Sequence, residues 1–293
     1  MFKVFKSQNN FNSLSSSLMS LFSTQKSSQS HFYILNFVYG LNPTMIALHS
    51  NKRNIVEVII NQHVQSHLPP KISNIINTAN AKKIPVKFVD REKLDRLVQN
   101  QPHQNVVIKA EPLKYLRTKS SDILQGNMIL FLDRITDPQN FGAIIRTCQY
   151  LGVDNVVVDE FSRCPLNPTV SKTSSGALEV MDIYCTPDPV EFLKDCQLRG
   201  WKVYSTGLNH SENQISLEKL KDKIVLVMGN EGNGVDPKIL KVSDKIVSID
   251  QTLYLNRPMV FPYTLIDSLN VNSATSILIQ NIKLKMIASE KMI

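Results

Sequence analysis

Strand-like apolar segments alternate with helical segments along most of this 293-residue chain, and this alternation restricts its fold more than any other feature. A long, apolar-rich helix is expected from about Ser268 to Met286. Because strands that alternate with helices form a mainly parallel sheet covered on both faces, the second half predicts an α/β fold. Its expected strands are Met128–Leu132, Asn155–Val158, Lys202–Ser205, Ile224–Met228 and Lys245–Ile249.

A smaller unit of the same kind precedes this one. Its expected strands are Asn54–Ile60, Val86–Val89 and Asn105–Lys109, and its expected helices are Pro70–Ala81 and Asp90–Asn100. A polar connector then leads into the second half. We therefore expect a small α/β domain over residues 32–110, a linker over 111–126 and a larger domain over 127–293.

Positive charge is concentrated in the first half of the chain. Up to Asn127 there are 16 Lys and Arg against 6 Asp and Glu, whereas the remainder has 17 against 19. Such an asymmetry is typical of a unit that binds a polyanion, and equally of positive charge that merely aids solubility. The pairs Lys52-Arg53 and Lys82-Lys83 are candidates for phosphate contacts, and equally for ordinary solvated charges.

The first 31 residues have the composition of a targeting segment. They are rich in serine and weakly amphipathic, they carry lysines, and the first acidic residue of the whole chain is Glu57. This composition is typical of a mitochondrial transit peptide and leads us to expect the mitochondrial matrix; a disordered tail is the alternative. Since no apolar stretch approaches about 18 residues, no membrane span is expected.

Other residues that often bind metals or form crosslinks show no such pattern here. The four cysteines lack paired spacing, so reduced thiols are expected. His63 and His67 have the spacing of two ligands on one helix face, but Pro69 follows at once and no acidic residue lies between them. We therefore expect exposed histidines and no metal site. Trp201 is expected in the core.

Three polar segments follow expected strands, where α/β proteins bind their ligands. The first is Asp133–Arg146, the second is the glycine-rich Gly229–Gly234, and the third, Asp267–Val271, opens the last helix. The second segment has neither the dinucleotide-binding spacing nor the lysine of a P-loop, which argues against NAD and nucleoside triphosphates.

In this order the segments resemble the three motifs of the SpoU (TrmH) family of RNA 2′-O-ribose methyltransferases. Asn140, Gly142 and Arg146 match the first motif, Gly229-Asn-Glu-Gly-Asn-Gly234 matches the second, and Ser268-Leu-Asn-Val271 matches the third. The segment from Tyr39 to Leu48 also resembles the start of the small substrate-binding domain that many members carry. The resemblance thus extends from about Tyr39 to the end of the chain.

The resemblance implies a knotted (SPOUT-type), mainly parallel sheet as the catalytic domain, preceded by a small α/β RNA-binding domain. It implies a homodimer whose active site is completed across the interface, and S-adenosylmethionine as the methyl donor. Together with the N-terminal segment, it implies that the substrate is a guanosine of mitochondrial large-subunit rRNA.

The resemblance also implies roles for individual residues. Arg146 would contact the target phosphate or ribose and stabilise the developing charge, and Asn140 and Asn270 would orient the hydroxyl and the loops. Glu231 would fix the knot and could also fix Arg146 of the partner subunit. The remaining residue with an implied catalytic role is Ser268. Donor binding is implied for Thr206, Gly229, Asn230, Gly234, Ile249 and Leu269.

The chain departs from the family pattern between the second and third motifs. In the family, the strand before the third motif usually ends Ile-Pro-Met. In this chain, Ile249 is followed by Asp250 and then by an insertion, Gln251–Ile266. Pro258-Met259 is the alternative equivalent of the strand end. Two other functions stay open from the sequence: a catalytically silent ribosome-assembly factor and a tRNA 2′-O-methyltransferase. The presence of Arg146, Glu231 and Asn270 favours the enzyme over the silent factor.

Overall fold

A computed structural model describes residues 35–119, 123–207, 223–249 and 268–290. These residues belong to one compact unit that contains two β-sheets. The expected transit peptide, residues 1–31, lies outside the described residues, as do the insertion Gln251–Ile266 and the alternative strand end within it.

The first sheet has four strands in the order β1-β4-β2-β3. Strand β4 runs antiparallel to β1 and β2, while β2 and β3 are parallel. Helices cover both faces of this sheet, and each face has its own apolar cluster. In chain order the elements are β1 (Asn36–Tyr39), α1 (Leu41–Ser50), β2 (Ile55–Asn61), α2 (Pro70–Ala81), β3 (Val86–Val89), α3 (Arg91–Leu97) and β4 (Val106–Ala110).

The second sheet has seven strands in the order β11-β9-β10-β6-β7-β8-β5, and every neighbouring pair is parallel. The predicted α/β architecture with a mainly parallel sheet is therefore confirmed. In chain order the elements are β5 (Leu116–Arg117), β6 (Met128–Leu132), α4 (Pro138–Leu151), β7 (Asn155–Asp159), α5 (Pro168–Thr173), β8 (Ile183–Thr186), α6 (Pro189–Leu198), β9 (Trp201–Thr206), β10 (Lys223–Met228), α7 (Pro237–Val242), β11 (Lys245–Val247) and α8 (Val271–Glu290).

The central strand β6 is buried along its whole length. Leu130 packs into the apolar cluster that contains residues of α4 and α8, whereas Phe131 packs into the cluster that contains residues of α6 and α7. A strand buried on both faces has a continuous apolar sequence, which is what this segment shows. Trp201 is 2% exposed in the second cluster, as predicted.

The order of the strands reverses between β6 and β10. Helix α4 follows β6 and packs on one face of the sheet, while α7 follows β10 and packs on the other. The Asp133 N–H donates to the carbonyl of Met228 over 2.9 Å, and its Oδ2 accepts from the Asp236 N–H over 2.7 Å. Such a reversal opens a crevice at the carboxyl ends of the strands, where α/β proteins bind ligands.

The predictions for Lys52-Arg53 need correction. The side chain of Arg53 is fully buried and pairs with Glu179, and Lys52 Nζ lies 3.0 Å from Asp182 Oδ1. Neither residue is free to bind phosphate, because each pairs with a carboxylate in the segment between α5 and β8 of the second sheet: Lys52 with Asp182 and Arg53 with Glu179. Lys82 and Lys83, by contrast, are exposed.

The histidines and cysteines lie as the sequence suggested. His63 is in a short 3-10 helix and His67 lies beyond it, and both are exposed. The four cysteines are buried and unpaired, and burial raises the pKa of the Cys164 thiol to about 12. Over the described ranges, neither a metal-binding cluster of acidic, histidine or cysteine side chains nor a helix suited to crossing a bilayer is found.

Candidate active site

The first motif begins helix α4 directly beyond strand β6. The carboxylate of Asp137 accepts a hydrogen bond from the Asn140 N–H at 2.8 Å and so caps the helix, and Pro138 occupies its first turn. Gly142 faces α5, where a Cβ atom would lie 2.8 Å from Thr173 Cβ. Only glycine allows the two helices to approach this closely.

The second motif is a tight loop after strand β10. Asn230 and Gly234 exchange two backbone hydrogen bonds of 2.8 and 3.1 Å, and Asn230 Oδ1 accepts from the Gly232 N–H at 2.9 Å. A Cβ on Gly229 would lie 2.3 Å from the carbonyl carbon of Gly234, and Gly234 itself has a φ of 65°. Gly229 and Gly234 are therefore required by the loop backbone.

The third motif brings all three segments together. Asn270 Nδ2 donates to Glu231 Oε1 and to Asn140 Oδ1, both at 3.0 Å, and Asn140 Nδ2 donates to Glu231 Oε1 at 2.8 Å. The Val271 N–H, at the start of α8, lies 3.5 Å from the same carboxylate oxygen. Asn140, Glu231 and Asn270 form what we call the motif cluster.

Glu231 and Asn270 are exposed and Asn140 is partly buried, and the geometry of the motif cluster fixes the orientation of both amides. Glu231 Oε1 can only accept, so the amide nitrogens of Asn140 and Asn270 must point toward it. Asn270 Oδ1 in turn accepts from the Asn272 N–H at 3.0 Å, which caps α8. The cluster therefore couples the starts of two helices to the glycine-rich loop.

Arg146 lies apart from the motif cluster. It is exposed on α4, and among the described residues it makes no hydrogen bond or ion pair. Tyr150, one turn further along α4, is 88% exposed. On the neighbouring side of the helix, Thr147 Oγ1 lies 3.1 Å from Ser276 Oγ of α8. Ser268, the other residue with an expected catalytic role, is exposed just before α8.

The expected donor-binding residues lie at the carboxyl ends of adjacent strands. Thr206 ends β9, where its Oγ1 donates to the Val227 carbonyl at 3.1 Å and accepts from the Gly229 N–H at 3.4 Å. Ile249 follows β11 and is partly buried against the core, while Leu269 is 49% exposed beside Asn270.

The chemical groups at the carboxyl ends of these strands fit an adenosine group. The strand ends offer main-chain groups, glycines and a hydroxyl rather than a row of charges, and the Gly207 N–H, directly after Thr206, donates to the Val247 carbonyl at 3.1 Å. Neutral hydrogen-bonding groups beside apolar side chains are what a purine and ribose require.

Two residues without an expected role, Asp133 and Arg134, also shape the site. Arg134 makes two hydrogen bonds of 3.0 Å to the carboxylate of Asp133, which raise the pKa of the guanidinium, and a third of 3.2 Å to the Gly234 carbonyl. Asn230 Nδ2 donates to the Arg134 carbonyl at 3.0 Å. The sequence contains a signal for this role, because Asp133 and Arg134 have opposite charges and directly follow a fully apolar strand. A charge that is buried at such a position requires a partner.

Two family profiles match the chain. The SpoU rRNA Methylase family matches residues 127–280, and the family described as RNA 2′-O ribose methyltransferase substrate binding matches residues 37–116. The first match contains the motif cluster, and the second contains the four-stranded sheet except for Asn36, the first residue of β1.

Individual relatives cover most of the chain. A Homo sapiens protein named "rRNA methyltransferase 1, mitochondrial" is 34% identical over an alignment of 263 residues that covers 85% of this chain and 72% of the relative. A Pasteurella multocida protein named "23S rRNA (guanosine-2′-O-)-methyltransferase RlmB" is 27% identical, covering 82% of this chain and 94% of the relative. Among solved structures, an AdoMet-bound rRNA methyltransferase from Sinorhizobium meliloti has a TM-score of 0.65 at 21% identity, covering 85% of this chain and 87% of that one.

Proposed function

Because the chain belongs to the SpoU rRNA methylase family, we propose that it transfers a methyl group from S-adenosylmethionine to a ribose 2′-hydroxyl of ribosomal RNA. The observation that carries this proposal is the motif cluster. Three segments separated by up to 130 residues meet at one carboxylate oxygen of Glu231, at the edge of the sheet where α/β proteins bind ligands. The presence of Arg146 together with Glu231 and Asn270 favours the enzyme over a silent assembly factor.

The ribose hydroxyl is a poor nucleophile until its proton leaves or its developing negative charge is stabilised. Arg146 is exposed and uncommitted among the described residues, so it is available to contact the ribose oxygen or the adjacent phosphate. Its guanidinium stays protonated, which suits it to charge stabilisation rather than to proton removal. Asn140 and Asn270 orient the hydroxyl, and Glu231 fixes both amides.

The donor carries its methyl group on a sulfonium, and the transfer is an in-line displacement in which positioning supplies much of the rate. Residues at the strand ends hold it: Thr206, Gly229, Asn230, Gly234, Ile249 and Leu269. The hydrogen bonds of Asn230 and Thr206 within the loop keep the backbone of this site in one conformation.

A homodimer completes the site in this proposal. Arg146 makes no hydrogen bond or ion pair with the motif cluster of its own chain. The two helices that pack together here also carry exposed apolar side chains: Tyr150 on α4 and Leu284 and Ile287 on α8 are 88%, 57% and 47% exposed. Exposed apolar side chains on two packed helices are typical of an interface core. In the dimer, Arg146 of one protomer serves a site with Glu231 of the other. We also infer the trefoil knot of the SPOUT fold.

The small domain, residues 32–110, recruits the RNA, and residues 127–293 carry out the methylation. We further propose a guanosine of the mitochondrial large-subunit rRNA as the target, and the mitochondrial matrix as the location. These finer assignments are supported by the names of relatives, by the basic first half and by the composition of residues 1–31.

The test is methyl incorporation from labelled S-adenosylmethionine into transcripts of mitochondrial large-subunit rRNA, small-subunit rRNA and tRNA, with donor binding measured separately by calorimetry. Incorporation into the large-subunit transcript alone is expected. Incorporation into tRNA alone would replace the proposed substrate, and donor binding without incorporation into any RNA would favour the silent factor. A fluorescent fusion with and without residues 1–31 tests the location.

A further inference from the structure

A small cavity lies at the junction of the two sheets, outside the candidate active site. Its volume is about 200 Å³. One side comes from the first sheet and its helices, including Asn42, Lys71 and Gln104, and the other from the region of α5, with Lys172 and Ser175. Two lysines from different parts of the fold thus face one space, and no carboxylate is among the described residues that line it.

The hydrogen bonds at the cavity show what kind of acceptor atom the N–H groups at its wall require. Gln104 Oε1 accepts from Lys172 Nζ at 2.7 Å and from the Leu41 N–H at 3.2 Å. Helix α1 begins here, and its preceding residue, Gly40, provides no side-chain cap. The amide oxygen of Gln104 therefore takes two donors at once, as a phosphate oxygen would, but without a negative charge to balance Lys172.

The backbone leaves room for the lysine head group. Gly40 has a φ of 100°, and a Cβ atom there would lie 2.6 Å from Lys172 Nζ. Burial lowers the pKa of Lys172 below its usual value, which means that the surroundings destabilise its charge. An anion bound in the cavity would reverse that effect.

The walls of the cavity are held in a fixed relation by a buried ion pair. Arg53 and Glu179 make two hydrogen bonds of 2.6 and 2.9 Å, and Ser171, the neighbour of Lys172 on α5, donates to Glu179 at 2.7 Å. Helix α5 also packs tightly against α4 at Gly142. The cavity is therefore one helix away from the helix that carries Asn140 and Arg146.

We propose that this cavity, if the chain methylates RNA as proposed above, binds one backbone phosphate of the RNA substrate between Lys71 and Lys172. A single phosphate then contacts both the small domain and the catalytic domain, so that the RNA captured by the first is held in register with the active site of the second. Phosphate contacts of this kind set orientation rather than sequence preference.

The experiment measures the affinity of the full-length chain for the large-subunit rRNA transcript as a function of KCl concentration. The variants are Lys71→Gln, Lys172→Gln, the double variant and Gln104→Glu, which adds only a negative charge at the amide oxygen that now accepts from Lys172. The matched control is Lys194→Gln, an exposed lysine on α6 at the opposite face of the sheet. Calorimetric binding of S-adenosylmethionine verifies that each variant is folded.

Each single variant is expected to weaken RNA binding several-fold, and Gln104→Glu at least as much, with donor affinity unchanged. The slope of log K against log salt should become shallower by roughly 0.7–0.9 in the double variant, the value for one phosphate. Because both lysines grip the same phosphate, the double variant should lose less than the product of the single losses. RNA affinities and slopes equal to those of Lys194→Gln would overturn the proposal, while a wild-type chain that binds no RNA would instead defeat the proposed function itself.

Discussion

Glu231 Oε1 lies 3.0 Å from Asn270 Nδ2, and this hydrogen bond joins the glycine-rich loop after strand β10 to the start of the last helix. The same oxygen accepts from Asn140 at 2.8 Å, so one carboxylate holds the first and third motifs in place. The role of Glu231 is therefore to orient two amides, and this role can be separated experimentally from donor binding.

Replacing Glu231 by Gln should lower the methylation rate by roughly 10- to 100-fold. The substitution keeps the size of the side chain but removes the charged acceptor, and hydrogen bonds to charged groups contribute about 1.5–3 kcal/mol. Single-turnover methylation measures the rate, and calorimetry should show donor affinity within about threefold of wild type. Glu191→Gln, an exposed change on α6, is the control. A wild-type rate for Glu231→Gln would exclude the orienting role.

Gly229→Ala should abolish tight donor binding. The added Cβ would lie 2.3 Å from the carbonyl carbon of Gly234, a contact between main-chain atoms that no side-chain rotation can relieve. Gly232→Ala in the same loop is the matched control, because its nearest neighbour would be 3.5 Å away. Calorimetry with S-adenosylmethionine should show at least a tenfold weaker affinity for Gly229→Ala only. Equal affinities in the two variants would place the donor away from this loop.

Leu284→Arg should convert the proposed homodimer to monomers and remove methylation activity while each chain stays folded. Leu284 is 57% exposed on α8, and a charge desolvated at the centre of an interface is strongly unfavourable. Leu198→Arg is the control, since Leu198 is 85% exposed on α6 at the other face of the sheet. Light scattering after size-exclusion chromatography gives the mass. An active monomer would contradict completion of the active site across an interface.

Arg53→Ala should destabilise the chain by about 3–5 kcal/mol, because it leaves the buried carboxylate of Glu179 without its partner. Arg199→Ala removes a partner from a pair of which both members are well exposed, so its effect should stay below about 1 kcal/mol. Urea denaturation measures both free energies of unfolding. Similar small losses in the two variants would mean that water reaches the Arg53 pair.

Helices and strands were predicted correctly where the spacing of apolar residues and the residue types at the element ends agreed. Helix α2 and strand β3 match their predicted bounds residue for residue, and α2 starts at a proline suited to a first helical turn. Helix α3 ends at Leu97, three residues before the predicted Asn100, because Gln99 and Asn100 adopt left-handed backbone conformations.

Other elements gave too little signal to predict. Helix α1 starts without a capping side chain and has a proline at its third residue, and strand β5, inside the expected linker, has only two residues.

Strand β11 was predicted but is shorter than expected. It ends at Val247, two residues before the expected Ile249, where its pairing with β9 stops.

For the candidate site, the order of the motifs predicted which segments come together but not which contacts they make. The resemblance named Asn140, Glu231 and Asn270, yet their shared hydrogen bonds depend on three strand ends meeting in space. The buried pair of Arg53 and Glu179 joins residues 126 positions apart, and no local pattern indicates such a partner. The sequence therefore could not show that Lys52 and Arg53, which were candidates for phosphate contacts, form ion pairs within the protein instead.

The most direct test maps 2′-O-methyl sites, by their resistance to alkaline cleavage, in large-subunit rRNA treated with S-adenosylmethionine and either the wild-type chain or Arg146→Ala. We expect one new resistant site with the wild type and a methylation rate at that site at least about 100-fold lower with Arg146→Ala, because a preorganised charge at the reacting oxygen is lost while donor affinity and fold are kept. Equal methylation rates at that site for the two proteins would contradict the proposed stabilisation of the reacting oxygen by Arg146.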